Sequence, residues 1–187
     1  MLKLYGAARS RASIVQWYLE ELEIPYEFIL LDLQAKEHRQ ADFLAINPFG
    51  KVPAIVDGTV VLWESGAILL YLAERYGGAQ TLEERALLAQ WSLFANATFG
   101  PGIFIESSRE REMPNLFGTL SRVLEQQPFV LGDRFTAADV AVGSYLAYVP
   151  MMLKIGYDDY PVLQTYLNTL MQRPAFQRSL GARSPAS

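Results

Sequence analysis

The stretch from Asn47 to Ser65, NPFGKVPAIVDGTVVLWES, leaves this chain little freedom in how it folds. Asp57-Gly58 separates the apolar runs AIV and VVLW, and an Asp-Gly step in that setting specifies a β-hairpin. Pro53 stands just ahead of the first run, where a residue without an N–H cannot join a sheet ladder, and it holds Val52 extended. An extended residue with unpaired backbone groups can grip a peptide. Glu64-Ser65 then opens the amphipathic stretch AILLYLAERY, so a hydroxyl and the N–H groups of a helix start face any anion placed there. Phe49 is a large apolar side chain in the polar turn NPFG and is expected to stand exposed unless something covers it.

The flanking residues extend the hairpin into an α/β unit. Leu2-Lys3-Leu4-Tyr5 reads as a short strand, followed by a polar turn and by Ile14, Val15, Tyr18, Leu19 and Leu22 at helical spacing, closed by Pro25. Residues 28–33 read as a second strand, apolar on both faces and so expected to be internal and parallel to the first. A helix ending at Tyr76-Gly77-Gly78 completes a first domain, residues 1–77, leaving 78–187 as a second.

Beyond Gly78 the apolar spacing is helical. Leu87, Trp91, Phe94 and Thr98 share one face; Leu116, Leu120, Val123 and Leu124 share another; Leu163, Tyr166, Leu167, Leu170 and Met171 share a third. Thr136-Ala-Ala-Asp139 has the form of a capping box, with Phe135 and Val140 at the staple positions. The helix it opens, VAVGSYLAYV, is apolar nearly all round and is expected at the centre of its domain.

Composition narrows the chemistry. At 51% hydrophobic residues the chain is a globular one, and a formal charge of −4 makes nucleic acid or an anionic membrane a poor partner. No apolar run reaches the roughly 18 residues of a membrane span, and Arg9, Ser10 and Arg11 interrupt any signal-peptide core, so a cytoplasmic location is expected. The chain has no cysteine, which removes disulfides, thiolate metal sites and Cys nucleophiles together. Any sulfur chemistry must use a sulfur brought by the ligand. No phosphate-binding glycine loop, metal cluster or Ser-His-Asp arrangement is visible, and a single histidine leaves little room for one.

The strand-turn-helix LKLYGAARSRASIV, the NPFGKVP loop, Glu64-Ser65, the helical second half and its FTAADVAV box together resemble the cytosolic glutathione transferases over essentially the whole chain. The resemblance implies an α/β thioredoxin-like N-terminal domain with Pro53 in the cis form and an all-α C-terminal domain. It implies glutathione as co-substrate, with no resident cofactor and no metal. In that picture the backbone of Val52, beside Pro53, pairs with the cysteinyl part, and Glu64 and Ser65 hold the γ-glutamyl end. His38 and Arg39 match a basic pair that plant-type members place near the glycine carboxylate, and Lys51 matches another contact. Phe99, Phe104 and Tyr148 are candidates for an electrophile pocket between the domains. Phe49, four residues before Pro53, stands where some classes carry an aromatic key into the partner subunit, so a homodimer is expected.

The activity implied is conjugation of the glutathione thiolate to small electrophiles such as isothiocyanates or aryl halides, in detoxification and stress response. The same thiolate would serve reduction of organic hydroperoxides. A thiol with an unperturbed pKa of about 8.5 is only about 3% ionised at pH 7, and lowering it by two units takes roughly 2.7 kcal/mol. Ser10 matches the activating hydroxyl of the serine-type classes, whereas Tyr5 and Arg11 match the activating phenol and the arginine of the tyrosine types. The sequence leaves these open. It lacks the SSCxWRVR run of the isomerase class and the cysteine on which omega, beta and disulfide-reducing members rely, and its short second domain suggests a compact bacterial type such as the cyanobacterial chi class. The rival reading is a non-catalytic module of the same fold, which would tend to lose the polar residues retained here.

Overall fold

The computed structural model describes residues 1–79 and 81–183. Alternation sets the first strand: Leu2 and Leu4 are buried while Lys3 faces solvent, and β1 (Leu2–Gly6) runs through the interior of a four-stranded sheet. β2 (Tyr26–Leu30) lies parallel to β1, and the hairpin β3 (Ala54–Asp57) and β4 (Val60–Trp63) lies antiparallel on its other side. The order is β2-β1-β3-β4. This is the thioredoxin-like sheet expected from the sequence. Gly58, at a φ of 59°, turns the hairpin as the Asp-Gly step requires. Asp57 accepts hydrogen bonds from Tyr71 (2.8 Å) and Tyr76 (2.6 Å), which ties that turn to the end of the following helix.

β2 corrects one expectation. It is parallel to β1 as anticipated, but it is an edge strand that begins and ends earlier than residues 28–33, and Leu30 is 64% exposed. Apolar residues on both faces of a strand do not oblige both of its edges to be paired.

The single turn α2 (Ala41–Leu44) precedes the hairpin, and α1 (Ala12–Glu21) and α3 (Ser65–Arg75) pack beside each other, burying Ile14, Val15, Trp17 and Leu19 from the first and Ile68, Leu69 and Leu72 from the second. Each such side chain contributes about 1.5–3 kcal/mol on full burial. α1 stops before Pro25 because Glu23 adopts a φ of 53° and the Ile24 N–H folds back to the Leu19 carbonyl. The chain divides into Met1–Gly77 together with the residues from Ala175, and Gly78–Pro174. The described residues 175–183 group with the sheet and not with the helical unit. The reason lies in α9 (Pro174–Arg178): Phe176 sets its ring edge-on to Trp17 at 4.9 Å, and Arg178 reaches Glu20 at 2.8 Å. Burial opposes ionisation of Glu20, but the bonds from Arg178 and Tyr26 outweigh it and hold the carboxyl below its ordinary value.

The second unit is helical: α4 (Leu82–Leu93), a π-helical turn at Phe94–Phe99, α5 (Gly100–Phe104), α6 (Glu106–Leu124), α7 (Ala137–Tyr148), a π-helical turn at Val149–Leu153 and α8 (Pro161–Met171). α7 is buried at every position from Ala137 to Ala147, as its all-round apolar sequence requires. α4 is rotated from the expected face. Leu88, Ser92, Ala95 and Phe99 are buried, whereas Leu87 is exposed and Trp91 and Phe94 are half-buried. Met171 is likewise exposed on α8.

The capping box at Thr136 is formed. Asp139 is fully buried there and accepts from the Val130 N–H (2.9 Å), the Thr136 N–H (2.8 Å) and the Tyr166 hydroxyl (2.8 Å). Burial raises its carboxyl above the ordinary range, and these donors pull the other way. A second box, Thr81 with Glu84, opens α4 and had no counterpart in the sequence reading. Asp139→Ala strands two buried donors, the Val130 N–H and the Tyr166 hydroxyl, each costing roughly 1–3 kcal/mol, so a loss of at least about 2 kcal/mol is expected in urea unfolding. Thr136→Ala, which removes one cap acceptor, is expected to cost about 1 kcal/mol in the same measurement.

Candidate functional site

Sheet register brings the singled-out segments to one end of the first unit. Tyr5 pairs with Ile29 on one side and with Ala54 on the other, and Ala54 pairs with Trp63. One row across the sheet therefore runs Ile29, Tyr5, Ala54, Trp63. Tyr5 leads through Gly6 into the Ser10 turn, Ala54 is preceded by Val52-Pro53, and Trp63 is followed by Glu64-Ser65. Three loops emerge from the same edge.

The Val52–Pro53 bond is cis, and Val52 lies outside the ladder, which begins at Ala54. Asn47 organises the loop before it. Its side chain is 2% exposed; its Oδ1 accepts from the Phe49 N–H (3.1 Å) and its Nδ2 donates to the Lys51 carbonyl (2.7 Å). Gly50 closes the turn at a φ of 58°, its N–H donating to the Asn47 carbonyl. His38 and Arg39, on a single 3-10 turn, lean on this loop. A Cβ at Gly50 would stand 2.7 Å from the His38 carbonyl oxygen, and Arg39 Nη1 donates to the Phe49 carbonyl (3.2 Å). His38 Nδ1 is buried without a hydrogen-bond partner, and Lys51 is exposed. Phe49 is 58% exposed, with its ring edge against Trp63 at 5.0 Å.

Glu64 holds a φ of 70°, an uncommon conformation for a residue with a Cβ, and makes no side-chain capping bond. It is the cap residue of α3, and Ser65, 2% exposed, is the first residue inside the helix. α4 and α7 open on capping boxes, whereas at α3 the cap residue's side chain makes no capping bond. A helix start of this kind attracts a carboxylate.

In the first turn Ser10 Oγ accepts from the Ala7 N–H (3.1 Å) and the Ala12 N–H (3.3 Å) and donates to the Ala7 carbonyl (2.8 Å). The cap residue of α1 is Arg11, one position later than Ser10, and its side chain is exposed. Tyr5 is half-buried with its ring 5.7 Å from Phe43. Extended backbone at Val52, the start of α3, the Ser10 hydroxyl and the exposed cations Arg11 and Lys51 thus stand on loops from one end of the sheet, a combination suited to a small anionic peptide. The part played by Asn47 and the positive φ of Glu64 are not evident in the sequence. Asn-Pro-x-Gly is a turn signal in which the Asn side chain commonly bonds the backbone two residues on, which could have marked Asn47; nothing local marks the left-handed backbone of Glu64.

An open cleft of about 560 Å³ lies at the opposite end of the sheet, beside Ile24, Pro25 and the Glu20–Arg178 pair. None of the expected residues line it. In the second unit, Phe99 corrects an expectation: it is 1% exposed and stacks on Phe117 within the core, so it offers no surface to a ligand. Phe104 and Tyr148 are half-buried and each sets its ring near that of Tyr145, whose hydroxyl donates to Asn96.

This sheet with a following helical unit defines the glutathione transferase fold. The family model for the N-terminal domain of glutathione S-transferase matches residues 1–74, and that for the C-terminal domain matches residues 106–174. The chain is 32% identical to glutathione S-transferase GstB of Escherichia coli (strain K12), over 95% of this chain and 97% of that protein. It is 31% identical to the disulfide-bond oxidoreductase YfcG of the same organism, over 96% and 94%. A crystal structure of a glutathione transferase from Burkholderia graminis with two glutathione molecules bound per subunit superposes with a TM-score of 0.83 at 29% identity, covering 99% of this chain and 89% of that one. The chain belongs to the glutathione transferase family and is an enzyme of it.

Two glycines at nearly the same φ separate strain from crowding in the site loop. Gly58→Ala, with open space around it, is expected to cost about 1 kcal/mol of stability from the left-handed conformation alone. Gly50→Ala must in addition displace the His38 backbone and is expected to cost at least about 2 kcal/mol in denaturant unfolding.

Proposed function

We propose that the protein binds glutathione at this sheet edge and adds its thiolate to small electrophiles such as isothiocyanates and aryl halides, in a cytoplasmic detoxification or stress role. The observation that carries the reading is the register row, which sets the Ser10 turn, Val52-Pro53 and the start of α3 side by side. Val52 supplies extended backbone for the cysteinyl part. Glu64, Ser65 and the helix start hold the γ-glutamyl end. Lys51, His38 and Arg39 answer the glycine carboxylate, with Arg39 also bracing the loop through Phe49. The electrophile meets Phe104 and Tyr148. The retained polar set favours this enzyme over a non-catalytic module, and the activated thiolate also serves reduction of organic hydroperoxides.

Ser10 is the activating hydroxyl in this reading, which makes the enzyme serine-type, close to the compact chi class. It exchanges its bond to the Ala7 carbonyl for one to the sulfur, and Arg11 adds a positive field. Similarity to a disulfide-bond oxidoreductase supports a second reading, glutathione-dependent disulfide reduction. One glutathione thiolate attacks the disulfide, expelling a thiolate that takes up a proton. A second glutathione resolves the mixed disulfide, so two thiols and oxidised glutathione form without a protein cysteine.

A pH titration of bound glutathione, followed by thiolate absorbance, tests the activation directly. Ser10→Ala and Arg11→Ala are each expected to raise the pKa of the bound thiol by about one unit, corresponding to about 1.4 kcal/mol, with Tyr5→Phe doing less. A large shift from Tyr5→Phe alone would make the enzyme a tyrosine type.

The proposal includes a homodimer joined partly through Phe49. Covering a side chain that stands 58% exposed is worth up to about 1.5–3 kcal/mol. Sedimentation at micromolar protein is expected to show a dimer for the wild type and more monomer for Phe49→Ala. A monomeric wild type would reject the dimer, and an undisturbed mutant dimer would reject only the part played by Phe49.

A further inference from the structure

We propose that Asn47 is a positioning residue for glutathione, acting through the Lys51–Val52 peptide plane; this rests on the reading of Val52 as the residue that pairs with the tripeptide. The Asn47 carboxamide is buried between the two ends of its own loop, with Oδ1 on the Phe49 N–H and Nδ2 on the Lys51 carbonyl. The first bond shapes the turn. The second does something different, because the Lys51 carbonyl shares a rigid peptide plane with the Val52 N–H.

The cis bond in this segment is Val52–Pro53, so the Lys51–Val52 peptide is trans, and its C=O and N–H point in opposite directions. Fixing the carbonyl toward the buried carboxamide therefore fixes the Val52 N–H away from it. Pro53 has no N–H of its own, which leaves Val52 as the donor at this point of the loop. A half-turn of that plane would withdraw the donor from the ligand while leaving the strands, the turn glycine and the helices in place. The 2.7 Å bond from Asn47 opposes that rotation. Asn is suited to the task, since one side chain supplies both an acceptor for Phe49 and a donor for Lys51.

Two variants separate the two bonds. Asn47→Asp keeps an acceptor for the Phe49 N–H but sets a carboxylate oxygen against the Lys51 carbonyl; Asn47→Ser keeps a short acceptor and loses the reach to Lys51. Calorimetric titration with glutathione is expected to show affinity falling about tenfold in Asn47→Ser and further in Asn47→Asp. In steady-state assays with a nitro-activated aryl chloride, KM for glutathione rises by the same factor, while kcat at saturating glutathione and KM for the aryl chloride stay within about twofold. A merely structural role would lower Tm and leave this split unseen. If Asn47→Asp fails to fold, Asn47→Ser carries the decision. Wild type that binds glutathione beside folded variants that bind it equally well overturns the role of Asn47 alone. Wild type that shows no glutathione binding overturns the reading of the site itself.

Discussion

The row Ile29, Tyr5, Ala54, Trp63 is the constraint on which the site depends. Because side chains alternate across a sheet, a slip of one residue between β1 and β3 would turn Leu4 outward and Tyr5 inward and expose the core. Burial of Leu2 and Leu4 on one face, with Ile55 paired to Leu4, therefore fixes the register. The register in turn fixes which loops leave the sheet together. Hydrophobic burial thus sets the spacing of polar groups that contribute nothing to it.

Electrostatics then distinguishes the loops. Thr81 and Thr136 close the starts of α4 and α7 with complete capping boxes, and those helices serve as structure. α3 begins instead at a Glu64 held at positive φ, with no side-chain cap. Such a backbone costs of order 1–3 kcal/mol and persists only where its surroundings enforce it. Here β4 ends at Trp63 and α3 is anchored by Ile68 and Leu69, so both neighbours are fixed and Glu64 absorbs the turn between them. A ligand carboxylate placed at that helix start would meet the positive end of the α3 dipole.

Features encoded locally were legible in the sequence. The Asp57-Gly58 hairpin, the Thr136–Asp139 box and the apolar helix after it each depend on residues within a few positions of one another. Features set by distant partners were not. Hydropathy marked β2 as buried, but whether its outer edge has a neighbour is decided by strand order. Leu87, Trp91 and Phe94 carry more apolar volume than Leu88, Ser92 and Ala95, so the wrong side of α4 looked like the core. Phe176 sits in the unremarkable run QRPAFQRS, and only its ring against Trp17 explains why the C-terminal residues belong with the first unit. Within the site, NPFG read as a turn, yet the bond from Asn47 to Lys51 is a matter of three-dimensional reach. Phe99, Phe104 and Tyr148 are equivalent by hydropathy, and burial alone separates the first from the others.

Amide chemical shifts of the isotopically labelled protein read the proposed glutathione site residue by residue. Titration with reduced glutathione is predicted to move the amides of Ser10, Lys51, Val52, Glu64 and Ser65 together along one saturating curve, leaving those beside the Glu20–Arg178 cleft in place. Shifts concentrated around Ile24, Tyr26 and Arg178, with Val52 and Ser65 unmoved, would contradict it.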